Sequence, residues 1–298
     1  MVGELVVRSW AARLLRVQGA LTEGAQNAGM SAAPAPVRQT VLITGASSGI
    51  GAALAHCFAR DGHRLVLVAR RADKLQSLAD ELKRESGARA EVWPADLAQP
   101  GAAADLVAQL QRKRRRVDVL VNNAGVLEQG AFAGQGAATH QALIDLNVSA
   151  LTALLAAVLP GMQRRGFGRV LNVASIASFQ PVPGLATYAA TKAYVLSLSE
   201  SLAEELRDSG ITVTALCPGI TATGMLELAA QANPRLAALP SFVIGNVDEV
   251  AEAGYRACLK GEVIAVPGLV NRAATLAARS TPRWLLRRVT GALGRQLK

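Results

Sequence analysis

Val41-Leu42-Ile43-Thr44-Gly45-Ala46-Ser47-Ser48-Gly49-Ile50-Gly51 sets three apolar residues directly before a turn of glycines and hydroxyls. Consecutive rather than alternating apolar residues predict a strand covered on both faces, as in a parallel sheet between helix layers. Gly45, Gly49 and Gly51 let the backbone turn tightly and approach a phosphate closely, and the N–H groups of a helix opening at Ile50 attract negative charge. Ser47 and Ser48 add hydroxyls. Between a strand and a helix, this pattern predicts a dinucleotide pyrophosphate site.

Working outward, short apolar runs recur at Leu65–Val68, Val117–Val121, Val170–Val173 and Ile211–Leu216, separated by longer helical stretches. Glu91-Val92-Trp93 and Val263–Val266 are two further strands. The alternation is that of βαβ units, so the fold class is α/β, one doubly wound domain over residues 40–268.

The 298 residues are 51% hydrophobic, enough for a large core. No apolar run reaches the roughly 20 residues that span a bilayer; the nearest, Val148 to Met162, is shorter and follows Asp145 and Asn147. Cys57, Cys217 and Cys258 are odd in number and far apart, which predicts a reducing, cytoplasmic setting and neither a disulfide framework nor a cysteine zinc site. A net charge of +10 invites nucleic acid as a partner, but only 4% of residues are aromatic and no nucleic-acid module is present, so none is expected.

The excess charge belongs partly to the ends. Residues 1–39 read as an extension closing on the linker Ser31-Ala32-Ala33-Pro34-Ala35-Pro36, with an arginine-bearing stretch from Val6 to Leu21 and an alternative start at Met30. After Glu262 no acid follows, while Arg272, Arg279, Arg283, Arg287, Arg288, Arg295 and Lys298 do. In this tail, residues 269–298, a helical projection gathers Leu285, Leu286, Val289, Leu293 and Leu297 on one side. Two readings stand: the stripe packs on protein, or the basic helix lies on an anionic membrane.

Arg70 and Arg71 end the second strand where an NAD-binding domain places an acid for the ribose hydroxyl. Guanidinium forks there predict the 2′-phosphate of NADP, with Arg70 the first choice and Arg71 the second. Asp96, after the third strand, is either a partner of the adenine amino group or the N-cap of a helix opening at Pro100.

Tyr188 and Lys192 stand one helical turn apart, so a phenol and an ammonium share a helix face. A free tyrosine ionises near pH ~10, and a neighbouring cation favours the phenolate.

Asn122-Asn123-Ala124-Gly125 follows the fourth strand, and with the glycine stretch and Tyr188-Ala189-Ala190-Thr191-Lys192 it makes residues 40–268 resemble the short-chain dehydrogenase/reductase family. The resemblance implies a Rossmann fold with a seven-stranded parallel sheet, an NADP(H)-linked reaction between a carbonyl and an alcohol, and a homodimer or homotetramer. It assigns Tyr188 as general acid/base, Lys192 as the cation lowering its pKa and holding the nicotinamide ribose, Ser175 as stabiliser of the substrate oxygen and Asn147 as the residue positioning a water. Asn123, Ala124 and Gly125 flank the cofactor, Pro218 and Gly219 border the nicotinamide, and Thr221 and Thr223 stand near its carboxamide. Each has a plainer reading: Ser175 caps a turn, Asn147 satisfies helix backbone, and Pro218-Gly219 is a turn.

Residues 224–246 hold the place of the family's variable substrate cover. Met225, Leu226, Leu228, Leu236, Leu239, Phe242 and Val243, with Phe179, Val182 and Leu185, make it apolar, which predicts a hydrophobic carbonyl or alcohol substrate. A sensor or scaffold that binds NADP without turnover is the reading from another class.

Overall fold

The computed structural model describes residues 38–224, 226 and 244–296, with side chains to Gly291. Arg38–Lys298 forms one compact unit. The expectations for residues 1–37, for Met225, Leu228, Leu236, Leu239, Phe242 and Val243, and for Leu297 and Lys298 lie outside the described residues, as do the side chains of Leu293 and Arg295.

Seven parallel strands form one sheet in the order β3-β2-β1-β4-β5-β6-β7. They are β1 (Thr40–Thr44), β2 (Arg64–Ala69), β3 (Ala90–Pro94), β4 (Val119–Asn122), β5 (Gly168–Val173), β6 (Ile211–Leu216) and β7 (Ile264–Ala265). Between them run α1 (Gly49–Arg60), α2 (Ala72–Ser86), α3 (Ala102–Arg112), α4 (Ala137–Ile144), α5 (Leu151–Arg165), α6 (Ala186–Glu205) and α7 (Val247–Lys260). After β7 come α8 (Leu269–Ser280) and α9 (Arg283–Gln296).

Both sheet faces are covered, as the unbroken apolar runs require. Val41 and Ile43 join Leu54, Phe58, Leu75 and Leu82 on one side. Leu42 joins Leu106, Leu110, Leu154 and Val195 on the other. The strand order reverses between β1 and β4, and in such a sheet the crevice beyond the strand ends at that reversal is where ligands sit.

Three expected boundaries move. β4 opens at Val119 because Asp118 turns its carboxylate to the Thr40 N–H at 2.9 Å. β7 keeps only Ile264 and Ala265 of the expected run, and Val263 at this sheet edge is 42% exposed. The helix after β3 starts at Ala102 behind Gly101, so Asp96 is not its N-cap. Asp96 Oδ1 instead accepts the Ala98 N–H at 3.2 Å, closing a tight turn.

The helical stretch Ala137–Arg165 is continuous, and by length and apolar composition it could cross a membrane. The expectation from apolar runs alone undercounted it, because the helix also takes in α4. Leu151, Leu154, Leu155, Val158, Leu159 and Met162 are buried in the core on the sheet, so it serves as a core helix.

Candidate functional site

The first turn of the site holds its shape through packing. Gly45 has φ of +65°, and a Cβ there would lie 2.8 Å from Ala124 Cα. A Cβ on Gly51 would lie 2.4 Å from both Asn123 Nδ2 and the Gly45 carbonyl oxygen. No larger residue fits at Gly51 without moving the Asn122–Gly125 segment.

That segment is stapled to the glycine turn. Asn123 Nδ2 donates to the Thr44 and Gly45 carbonyls at 3.0 and 3.1 Å. Thr44 Oγ1 accepts the N–H groups of Asn123 and Ala124, each at 3.0 Å. The Asn123 side chain thus positions its segment, and Asn123, Ala124 and Gly125 all line the cleft. The sequence placed Thr44 at the head of the glycine motif but assigned no role to its hydroxyl, which closes this staple.

A π-turn, Asp145–Ala150, interrupts the helix between α4 and α5 and carries Asn147 inward, where it is buried. Asn147 exchanges two hydrogen bonds with the Val126 backbone, each 2.9 Å, and donates to Thr191 Oγ1 at 3.1 Å. Both amide hydrogens are thereby used, so this side chain clamps the loop after Gly125 to α6.

Ser175 leaves the end of β5 and caps the 3-10 turn Ile176–Phe179 through the Ala177 N–H at 3.1 Å. Ser175 and Tyr188 line the same cleft, and the serine hydroxyl acts to lower the phenol's pKa. The capping and catalytic readings of Ser175 are therefore compatible. Lys192 is buried, and its Nζ donates to the Val173 carbonyl at 2.8 Å. That ammonium stands 5.8 Å from the Tyr188 ring centroid.

The electrostatics differ in sign from the sequence expectation. Burial raises the Tyr188 pKa above its ordinary value, with the Ser175 hydroxyl opposing. Burial also pulls Lys192 down to about 8, with Cys217 opposing. Desolvation is the main cause of the Tyr188 shift, and it acts against the phenolate.

One cavity of about 510 Å³ joins these groups. Gly45, Ser48, Gly49, Ile50, Asn123, Ala124 and Gly125 line one part, and Ser175, Tyr188, Lys192, Pro218, Gly219, Thr221 and Thr223 another. Gly49 faces Thr223 across it: a Cβ on Gly49 would come within 3.2 Å of Thr223 Cγ2. Val182, Leu185 and Leu226 line it as expected, and the sequence reading missed Leu127, Ile176 and Ile220, which join them. Phe179 does not: it packs against the core, with the Arg279 guanidinium 5.9 Å from its ring centroid.

Arg70, Arg71 and Asp96 stand outside the cavity wall. Arg71 Nη2 donates to Ser47 Oγ and Ser48 Oγ, each at 3.1 Å, at the mouth of the glycine turn. Of the two arginines, the second choice is the one already fixed there. Arg70 is exposed at the end of β2.

Behind the cavity, Asn271 of α8 fills the space beside Gly219, where a Cβ would lie 2.5 Å from its Oδ1. A buried chain runs from Asn122 Nδ2 to Asn172 Oδ1 and from Asn172 Nδ2 to Ser199 Oγ, each 2.9 Å, tying β4 and β5 to α6. Asn172, a polar residue inside an apolar strand run, was the one signal of it.

Residues 39–234 match the short chain dehydrogenase family. The chain is 39% identical over 198 residues to the oxidoreductase UcpA of Escherichia coli, covering 66% of this chain and 74% of that one. A short-chain dehydrogenase from Sphingobium yanoikuyae, solved in complex with NADPH, superposes with a TM-score of 0.72 at 42% identity, over 80% of this chain and 91% of the other. The bulky-bulky ketone specific alcohol dehydrogenase from Comamonas testosteroni gives 0.68 at 35% identity, over 82% and 95%. With the glycine turn, Ser175, Tyr188 and Lys192 meeting in one cleft at the strand-order reversal, the chain belongs to the short-chain dehydrogenase/reductase family.

Proposed function

We propose that the protein is an NADP(H)-dependent oxidoreductase that interconverts an apolar carbonyl compound and its alcohol, with Tyr188 as the proton donor in reduction. The observation that carries this is the cavity itself, in which Tyr188, Ser175 and Lys192 face the glycine turn and the Pro218–Thr223 segment. When bound, the nicotinamide cofactor supplies or accepts the hydride. The residues fit it: Gly45 and Gly49 bring backbone to the cavity, and Arg71 with Ser47 and Ser48 offers a cluster of donors for a phosphate.

Reduction is the favoured direction, because the arginine pair after β2 favours NADP(H), and NADPH commonly serves reductions. The Tyr188 hydroxyl hands its proton to the substrate oxygen, while the Ser175 hydroxyl donates to the charge developing there. Lys192 stabilises the phenolate left behind, and its Val173 bond fixes where that cation sits. Asn147 acts one step removed, by holding the Val126 loop and Thr191.

Leu127, Ile176, Val182, Leu185, Ile220 and Leu226 make the substrate end apolar, which favours a bulky hydrophobic ketone, aldehyde or alcohol. The ketone specificity in the name of the Comamonas relative agrees with that choice. Three buried free thiols suit a reducing compartment, and we place the activity in the cytoplasm. We take a homodimer or homotetramer, in line with the family resemblance, as the assembly, for which the exposed Ile144 and Tyr194 near the π-turn offer apolar surface. Sedimentation velocity measures that assembly.

The deciding experiment follows absorbance of NADPH and of NADH with ketones, aldehydes and alcohols of graded size. Turnover with NADPH, strongest for bulky apolar ketones and cut by about 10²–10⁴-fold in Tyr188→Phe, supports the reading. Full turnover in that variant overturns it, and a signal without turnover returns the sensor reading.

A further inference from the structure

The two helices beyond β7 carry a surface that the catalytic reading leaves unused. In α8 the buried side is Thr275 and Ala278, with Asn271 partly covered beside them. Half a turn round, Leu269 is 82% exposed, Leu276 is 67% exposed and Ala273 lies between them at helical spacing, with Val270 nearby. In α9 Leu286 is buried, while Trp284, Leu285 and Val289 stay exposed. The sequence put Leu285, Leu286 and Val289 on one side and left packing or membrane contact open; only Leu286 of the three is buried. Among the described residues, six of the eleven exposed large hydrophobics belong to these two helices, so they are concentrated there rather than scattered.

Charge on this surface has one sign. From Val263 to the end of the chain there is no acid, while Arg272, Arg279, Arg283, Arg287 and Arg288 are exposed along α8 and α9. Arg288 stands over the Trp284 ring, 5.8 Å from its centroid, so a cation and an amphipathic ring share one spot.

We infer that α8 and α9 form a docking face for an anionic phospholipid surface. Leucine, valine and tryptophan enter the boundary between headgroups and acyl chains, and the arginines meet the lipid phosphates. A second copy of the chain is a poorer occupant, because a two-fold interface sets a face against itself and would bring arginine against arginine with no acid to separate them. An anionic polymer would satisfy the arginines but leave Leu276 and Trp284 in water. A lipid surface takes both. The inference stands apart from the catalytic reading, since binding is measured without turnover.

The test is co-sedimentation of the full-length protein with vesicles of phosphatidylcholine alone and of phosphatidylcholine with phosphatidylglycerol. The protein is expected to bind the mixed vesicles at low salt, to bind neutral ones weakly, and to lose affinity as salt is raised. Arg287→Glu with Arg288→Glu should weaken binding at least about tenfold, as should Leu276→Ser with Trp284→Ser, because each removes one half of the recognition. All four positions are exposed, and melting curves verify that the variants fold. Equal binding to neutral and mixed vesicles, no binding, or unchanged binding in both variants overturns the proposal. So does a change of oligomeric state in either variant that leaves vesicle binding intact, which would assign the face to a second copy.

Discussion

Lys192 Nζ is held 2.8 Å from the Val173 carbonyl, at the end of the strand that also delivers Ser175. The lysine is therefore a fixed cation, and burial sets its pKa at about 8. Below that value the ammonium is present to meet the cofactor, and above it the amine is neutral. The dissociation constant for NADPH is expected to rise as pH climbs through about 8, and Lys192→Met should bind weakly with no such step. Fluorescence titration from pH 6.5 to 9.5 reads it; a flat wild-type profile refutes the role.

Burial pushes the thiols of Cys57, Cys217 and Cys258 up to about 12. The unfolded chain ionises them near pH ~8.5. Between those values the folded state holds more protons, so their contribution to stability is complete below about pH 8.5 and is lost as pH rises towards 12. Lys192 acts in the opposite direction, its folded pKa being lowered, but it is one group against three. The melting temperature should fall above pH 8.5, and Cys258→Ala should flatten that fall while lowering stability at neutral pH through the small cavity it leaves.

Arg71 already donates to Ser47 and Ser48, so it is the arginine fixed beside the glycine turn. Charge-assisted hydrogen bonds to a phosphate contribute about 1.5–3 kcal/mol each. Arg71→Ala should then raise KM for NADPH by about tenfold or more and leave KM for NADH within about twofold. Arg70→Asp should also favour NADH, by repelling the 2′-phosphate. Equal effects on both cofactors in both variants would remove the arginines from the site.

The central strands were legible because β1, β2 and β4 are runs of consecutive apolar residues, and a strand buried on two faces has no polar side to conceal it, whereas β3 carries Glu91 and β7 is only two residues long. The glycine turn and the Tyr188–Lys192 spacing were legible because each is a local pattern, whereas Ser175 came from the family resemblance; all of them line one cavity. Contacts between distant segments were not legible. Asn147 is turned inward by a π-turn that no spacing rule announces, Asn123 staples its segment to Thr44 and Gly45, and Asn172 meets Asn122 and Ser199 only after three elements have packed. The sign of the Tyr188 shift was missed for the same reason, since burial is a property of the whole fold.

Asn123 gives that lesson a test. Its Nδ2 hydrogens are matched to two carbonyls, so Asn123→Ala leaves both without their partner and should cost about 1–3 kcal/mol, with a higher KM for NADPH as the glycine turn loosens. Asn123→Asp should be worse, because it sets a carboxylate against two carbonyl oxygens. Melting curves and initial rates order the variants, and an aspartate as stable as wild type would show that the staple is idle.

Gly219 and Asn271 make the last case, because the tail beyond β7 is expected from sequence to be separate in character, whereas α8 sits directly behind the Pro218–Thr223 segment that lines the cavity. The φ of Gly219 is not positive, so its backbone accepts an alanine. Only space forbids it: the added Cβ would lie 2.5 Å from Asn271 Oδ1 and 2.6 Å from Nδ2. Asn271 is itself held by a bond from Nδ2 to the Pro267 carbonyl at 2.8 Å, so it cannot retreat freely. Gly219→Ala should therefore cost about 1–3 kcal/mol and lower kcat/KM for NADPH-linked turnover. In an Asn271→Ala background the same substitution should cost much less, since the obstacle is gone. A double-mutant cycle on melting free energies measures the difference, and strictly additive costs would mean that the two residues do not meet.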